Sequence, residues 1–368
     1  MGISKGLFAS LALSALFVTT GCQCPFKSDN SEVTFKKEII GVKPELFIDL
    51  GETFSVPDGL AVDANGNIVL AVPNYLEYEK LGAKIVTICP KSGKVISTFK
   101  ELPKNPVTGV VHPMGIGFGP DGNLYIADNN HFTNPNHQSR VLRVNYKDGK
   151  AVDCDVVVEG LELANAIRWY DNQLYVSDTV VVLEGKKNQS GVYRFDLKDV
   201  ATKTPLKITK ENQSKYLLTT YTGYTPFGAD GVTFDKEGNM YCGLFGDGQI
   251  FKTTFNKNRS VKDTKVVVDD PAFECSDGMM YNPADNSIYL TDSKMNSVWV
   301  YNLTDNTMQR LWNNNDDTGE TGLLDQPCEP LVYKNKLYVV NFDMTFPNLM
   351  NRKNDKFNTI SVFDLNKK

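Results

Sequence analysis

Pro113-Met114-Gly115-Ile116-Gly117-Phe118, then Asp121-Gly122-Asn123, then Leu124-Tyr125-Ile126-Ala127-Asp128 is the stretch whose reading decides the fold. It reads as an apolar strand, a tight turn and a second strand, because Asp-Gly and Asn-Gly pairs supply the positive φ that hairpin turns need. The form recurs. Pro57-Asp58-Gly59-Leu60-Ala61-Val62 precedes Asn65-Gly66-Asn67 and Ile68-Val69-Leu70-Ala71, and Ala164-Asn165-Ala166-Ile167 precedes Asp171-Asn172-Gln173 and Leu174-Tyr175-Val176-Ser177-Asp178. Ala229-Asp230-Gly231-Val232, Ser276-Asp277-Gly278-Met279 and Cys328-Glu329-Pro330-Leu331 open three more copies. The corresponding positions are 58, 114, 165, 230, 277 and 329, separated by 56, 51, 65, 47 and 52 residues. Each interval holds a further alternating strand, such as Gly191-Val192-Tyr193-Arg194-Phe195. Four short strands per repeat of about 50 residues predict a propeller blade. The fold expected is all-β, a six-bladed β-propeller over residues 44–368 with four antiparallel strands per blade, closed by pairing residues 46–50 with 359–364.

The 368 residues are 41% hydrophobic and 23% charged, with a formal net charge of −5, an ordinary globular composition. The acidity and the lack of a Lys/Arg cluster exclude a nucleic-acid partner, which needs phosphate neutralisation. At the N-terminus Lys5 leads an apolar or small run over residues 7–20, too short to span a bilayer and suited to a signal peptide. Thr19-Thr20-Gly21-Cys22 resembles the bacterial lipobox. That resemblance implies a signal peptide over 1–21, a lipidated Cys22 with a polar tether over 22–43, and an exported lipoprotein held at the membrane, periplasmic or on the cell surface. A plain secretory signal cut nearby is the alternative. Without Cys22 six cysteines remain, widely spaced; a disulfide among Cys242, Cys275 and Cys328 and buried free thiols are both compatible with export.

In a propeller the first strand of each blade lines the central channel, so Asp58, Met114, Asn165, Asp230, Asp277 and Glu329 should face one another at one mouth. Four carboxylates and a carboxamide, with no Lys or Arg at equivalent positions, predict a hard divalent cation with oxygen ligands, calcium above magnesium. The set does not suit zinc or copper. The other reading of Asp-Gly before a strand is local, an Asp that only accepts nearby backbone amides.

Asp230-Gly231-Val232-Thr233-Phe234-Asp235 with Glu237-Gly238-Asn239 and Gly246-Asp247-Gly248-Gln249-Ile250 resembles a blade of the gluconolactonase and luciferin-regenerating-enzyme (senescence-marker-protein) family. Leu163-Ala164-Asn165-Ala166-Ile167 is similar to the Asn-bearing blade of the calcium-dependent arylesterases, the paraoxonases. The resemblance implies six blades, calcium in the channel and hydrolysis of lactones or esters. Counted from the N-terminus, it makes Asp58, Asn165, Asp230 and Asp277 the metal ligands. A circularly shifted register keeps Asn165 and Asp230 and makes Glu329 the acid. The arylesterases place one His at the second-blade mouth and another just past the following strand. This chain has Met114 at the first place; His131 resembles the second, and His112 lies two residues before Met114.

The function expected is calcium-dependent hydrolysis of a lactone or small ester by a monomeric, lipid-anchored enzyme, with His131 or Glu329 as general base. Within residues 44–368 there is no Gly-x-Ser-x-Gly elbow for a serine nucleophile. The competing expectation is a non-catalytic surface propeller binding a glycan, peptide or protein through the loops at 73–81, 129–139, 180–190 and 313–324, with Tyr75, Tyr78, Phe132 and Trp312 as contacts. An open, metal-lined pocket at the channel mouth would favour the enzyme, and a filled mouth with the apolar patch elsewhere the binding module. A cofactor-using dehydrogenase propeller is disfavoured by the lack of His and Arg at the mouth.

Overall fold

The structure is a computed structural model and describes residues 32–346 and 348–368. The expected signal peptide, Cys22 and Cys24 lie outside the described residues. Six antiparallel sheets follow one another along the chain, each running from an inner strand outward. The inner strands are Leu60–Val62, Pro113–Phe118, Ala164–Tyr170, Ala229–Phe234, Met279–Asn282 and Pro327–Tyr333 in blades 1 to 6. Each touches the inner strand of the next blade, and the sixth touches the first, so they close a ring around one channel. Closure follows the expected route: the N-terminal strand Glu45–Asp49 pairs antiparallel with Thr359–Asp364 as the outermost strand of blade 6.

The turns show why these residues fold this way. Gly66, Gly122 and Gly238 take φ of 78°, 79° and 78°. Asp63 and Asp235 fix two of these turns by accepting the N–H groups two and four residues on. In blades 3 and 6 the pairs Asp171-Asn172 and Lys334-Asn335 both lie at positive φ, as a type I′ hairpin demands. Between blades, the tyrosine of a second strand packs on the following blade. Tyr125 meets Trp169 edge-on at 4.8 Å and Tyr175 meets Phe234 at 4.7 Å. Such pairs add to the area they bury and set the blade spacing.

Two features depart from the expected layout. The polar tether expected over 22–43 is in its later part a piece of the fold. Thr34–Lys36 pairs parallel with the outer strand Thr307–Asn313 of blade 5, and Val33 and Val42 are buried. The open edge of that strand offers backbone groups, and Ile40 and Gly41 also donate to Arg310 and Leu311. The longest repeat interval, between Asn165 and Asp230, is explained by an insertion at 197–216. Its Leu206–Lys207 adds a parallel fifth strand to blade 2. Of the two cysteine readings, free thiols hold: Cys89, Cys154, Cys242, Cys275 and Cys328 are all unpaired.

Candidate functional site

The channel mouth is built by a repeated irregularity. In blades 2, 3, 4 and 6 the pairing of the first two strands slips, between Pro113 and Ile116, Ala164 and Ile167, Ala229 and Val232, and Pro327 and Pro330. Met114, Asn165, Asp230 and Glu329 all fall inside these bulges, which re-aim side chains and occur next to active sites. The glycine after the mouth residue has its own purpose. A Cβ on Gly59 would lie 2.4 Å from the Met114 carbonyl oxygen, and one on Gly231 2.5 Å from that of Asp277. Neither has positive φ. The mouth Asp-Gly is therefore not a turn but the place where neighbouring inner strands touch.

Above this ring opens a cavity of about 710 Å³, its open mouth included. Five of the six expected positions line it: Asp58, Met114, Asn165, Asp230 and Asp277. Its other walls are mainly apolar, with Tyr75, Phe132, Leu163, Phe227, Phe245, Phe342 and Phe346. Tyr75 donates its hydroxyl to the Met114 sulfur at 3.2 Å. The acids raise one another's pKa. Burial, then Asp277 and Glu329, hold the Asp58 carboxyl well above the usual range. Burial, then Asp277, Asp58 and Glu329, do the same to Asp230, opposed by a hydrogen bond from Asn165. Burial lifts Asp277 to about 7 against a hydrogen bond from Ser293. A buried patch of carboxylates that repel one another is a place where a cation is favourable.

Glu329 stands outside the cavity wall, lifted by burial to about 7 against the pull of Arg168. Arg168 is the residue that sequence reasoning missed. It starts on blade 3 yet donates to the carbonyls of Val232 (2.8 Å) and Met279 (3.1 Å) and pairs with Glu329 at 3.5 Å. Reaching blades 4, 5 and 6 requires it to cross the channel. A regular strand would turn residue 168 away from the face of residue 165; the bulge between 164 and 167 inserts one residue and restores the face.

The two histidines are differently placed. His131 lies behind the cavity wall, its Nδ1 2.8 Å from Glu162 Oε1, and Glu162 also accepts the His137 N–H at 2.9 Å. Its neighbours Asn129 and Phe132 line the cavity. His112 is buried between Tyr75 (4.3 Å) and Tyr78 (5.0 Å), and burial lowers its pKa to about 4, so it is neutral. Of the loop aromatics, Tyr75 and Phe132 reach the cavity, Tyr78 packs on His112, and Trp312 packs beside the core between blades 5 and 6. The connection at 342–358, not among the expected loops, supplies Phe342 and Phe346. Its length between two strands of one blade was the available signal.

Asp58, Asn165, Asp230 and Asp277 suit a calcium ion by chemistry: neutral or anionic oxygens, buried at Asp58 and Asp230 and half-buried at Asn165 and Asp277, with the crossing cation Arg168 engaged by Glu329 and backbone carbonyls. The local role imagined for such acids falls mainly to Asp63, Asp121 and Asp235 at the turns, although Asp277 also accepts the Gly278 N–H. The ring is wide. Three of its acids do not bring carboxylate oxygens within 4.8 Å of one another, as another trio in the chain does. Oxygens on opposite sides of calcium stand about 5 Å apart, so Asn165 and water would complete such a shell.

Comparison with known proteins agrees with the fold. Residues 115–260, from the inner strand of blade 2 into blade 4, match the SMP-30/Gluconolactonase/LRE-like region. The solved structures that share the fold include a luciferin-regenerating enzyme (11% identity, covering 88% of this chain and 95% of the other, TM-score 0.57). A glucose dehydrogenase-type oxidoreductase from Thermus thermophilus is similar at 14% identity, 88% and 99% coverage and TM-score 0.58. A calcium-binding protein, regucalcin, from Agrobacterium tumefaciens is similar at 11% identity, 87% and 92% coverage and TM-score 0.54. At these identities the likeness is one of fold, and the fold spans more than one chemistry. Among curated proteins none matches the chain.

Proposed function

We propose that the protein is a divalent-metal-dependent hydrolase of lactones or small esters, with calcium held in the channel by Asp58, Asn165, Asp230 and Asp277. The observation that carries this reading is a set of mutually repelling carboxylates opening directly into an aromatic-walled cavity. The match over residues 115–260 supports it. A cation bound there would supply a Lewis acid for a carbonyl oxygen. The protein's own groups do the rest. Tyr75, Phe132, Phe227 and Phe342 bind and orient an apolar or flat acyl or ring portion and exclude water around it. Glu329, the carboxylate expected from sequence as general base, stands outside the ligand set and takes the proton of an attacking water, with Arg168 setting its charge. His131, engaged with Glu162, serves better to position the 129–139 loop than to take a proton from substrate. A dehydrogenase reading would need free cations for an anionic cofactor, and Arg168 is committed to Glu329 and two carbonyls.

At the N-terminus the Thr19-Thr20-Gly21-Cys22 stretch supports placement as an exported, lipid-anchored protein. The test is hydrolysis of a panel of aryl esters and five- and six-membered lactones by the purified chain after chelation, with and without added calcium. Calcium-restored turnover that falls by roughly 10²–10³-fold in Asp230→Asn and Asn165→Ala is expected, the scale of losing one focused electrostatic stabiliser. Turnover indifferent to chelation, or none on any substrate with calcium bound, overturns the reading.

A further inference from the structure

Blade 6 carries a second group of acids, outside the channel. Asp325 precedes the inner strand Pro327–Tyr333, Asp343 follows the strand Lys336–Asn341, and Asp355 lies in the 342–358 connection. One carboxylate oxygen from each lies within 4.8 Å of the others. Asp325 is the member that matters most. It is 0% exposed, and neither carboxylate oxygen has a hydrogen-bond partner among the described residues. A buried polar group without a partner is costly and calls for an explanation. The other two acids are only partly engaged. Asp343 accepts from Asn351 Nδ2 at 3.2 Å and from the Asp355 N–H at 3.0 Å, and Asp355 accepts the Phe357 N–H at 3.0 Å. The further charges felt here, Asp316 and Asp317, are also acidic, with Lys353 the opposing cation at Asp355. Burial and these neighbours push Asp325 to about 9, as expected of a carboxyl with no cation beside it.

We propose that Asp325, Asp343 and Asp355 bind a second divalent cation of calcium type, which fastens the 342–358 segment beside the channel cavity. The three donors are all carboxylate oxygens, the choice of a hard cation, and their spacing fits ligand distances of about 2.3–2.6 Å around a common centre. The segment joins the site to the cavity. Phe342 and Phe346 are cavity wall, and the Phe342 and Met344 N–H groups bond the carbonyl and side-chain oxygens of Gln326 at 2.9 and 2.6 Å. Gln326 follows Asp325 and itself lines the cavity. A cation here ties residues 343 and 355 to the start of the blade 6 inner strand. The site stands whether or not the channel is hydrolytic.

The experiment is calorimetric titration of the chelated full chain with calcium, with trypsin digestion alongside. Arg352, Lys353 and Lys356 are exposed on the segment and report its opening. The chain should bind two calcium ions, Asp325→Asn one, Asp230→Asn one, and the double variant none. Calcium at about 100 times its Kd should slow cleavage of the segment roughly 100-fold in the wild type and in Asp230→Asn, but not in Asp325→Asn. Should Asp325→Asn fail to fold, the less buried Asp355→Asn must show the same loss. Unchanged stoichiometry and protection in Asp325→Asn and Asp355→Asn overturn the proposal. A single wild-type ion lost in Asp230→Asn also overturns it and leaves the channel site standing; a single ion lost only in Asp325→Asn does the reverse.

Discussion

Two sets of buried acids come from the same repeat and live in opposite surroundings. Asp128, Asp178 and Asp292 end the second strands of blades 2, 3 and 5, and each is met by donors. Asp128 takes the His112 N–H at 2.8 Å and Arg140 Nε at 2.8 Å. Asp178 takes the N–H groups of Glu162 and Leu163 at 3.0 and 2.6 Å, and Asp292 those of Glu274 and Met295 at 3.0 and 3.2 Å. In blades 1 and 6 Asn74 and Asn341 play the neutral version, accepting from Ser55 and Asp325. These residues pin the segment leading into each inner strand. Asp58 and Asp230, one strand away, instead feel other carboxylates, while Asp277 stands between the two sets, with Ser293 and the Gly278 N–H as donors. Residue type is the same in both sets; what separates a structural acid from a ligand is how far the fold supplies its donors.

The largest effect should come from removing a donor-satisfied acid. Asp128→Ala strands a buried Arg140 and the His112 N–H, and breaking a buried ion pair costs about 3–5 kcal/mol. Urea denaturation should show that loss equally in calcium and in chelator. Asp230→Asn measured in chelator should leave stability unchanged or raise it, because it removes repulsion. Equal destabilisation by both variants would erase the distinction between the two sets.

Next comes pH, measured in saturating calcium so that the channel acids stay ionised. Burial lifts Asp178 to about 7 and Asp292 to about 6, against the N–H groups that favour their charge. Each holds its proton more tightly folded than unfolded, so the folded state carries extra protons in this window. The stabilisation is complete below about 4, the unfolded carboxyl value, and is lost as pH rises through about 6 and 7. The Tm should therefore fall from pH 5 to pH 8, and Asp178→Asn should flatten that fall. A Tm that rises over the interval, or a slope unchanged in Asp178→Asn, would show the backbone donors to outweigh burial.

The blades were legible in the chain because a closed propeller repeats its hairpins in sequence, so Asn65-Gly66, Asp121-Gly122 and Glu237-Gly238 announce themselves. The mouth positions followed from counting: five of six line the cavity. Three things did not follow. The facing of Arg168 depends on a bulge, which leaves no mark in an alternating pattern. The docking of 34–36 depends on an open edge contributed by a strand some 270 residues later, on the order of the whole chain. The trio Asp325, Asp343 and Asp355 is assembled by a connection whose path is set by packing on Gln326, not by local preference.

The smallest effect sharpens the comparison most, because it concerns two glycines that look alike in sequence. Gly122 sits in a hairpin turn at φ 79°, and a Cβ there meets nothing within 4 Å. Gly231 follows a ring acid without positive φ, and its N–H donates to the Asp277 carbonyl at 3.0 Å. A Cβ on Gly231 would meet that oxygen at 2.5 Å and the Met279 nitrogen at 2.8 Å, both backbone atoms that cannot swing aside. Gly122→Ala should cost about 1–2 kcal/mol of stability through its left-handed backbone and leave calcium affinity alone. Gly231→Ala should cost a similar amount, about 1–3 kcal/mol, through overpacking. It must also push the blade 4 and blade 5 inner strands apart, and with them Asp230 and Asp277. Calcium affinity should then fall roughly tenfold for each 1.4 kcal/mol that the displaced ligands lose. Titrating both variants beside the wild type separates the cases, since stability alone does not. If Gly231→Ala binds calcium as tightly as Gly122→Ala, the close approach of inner strands sets only the packing of the channel and not the spacing of its ligands.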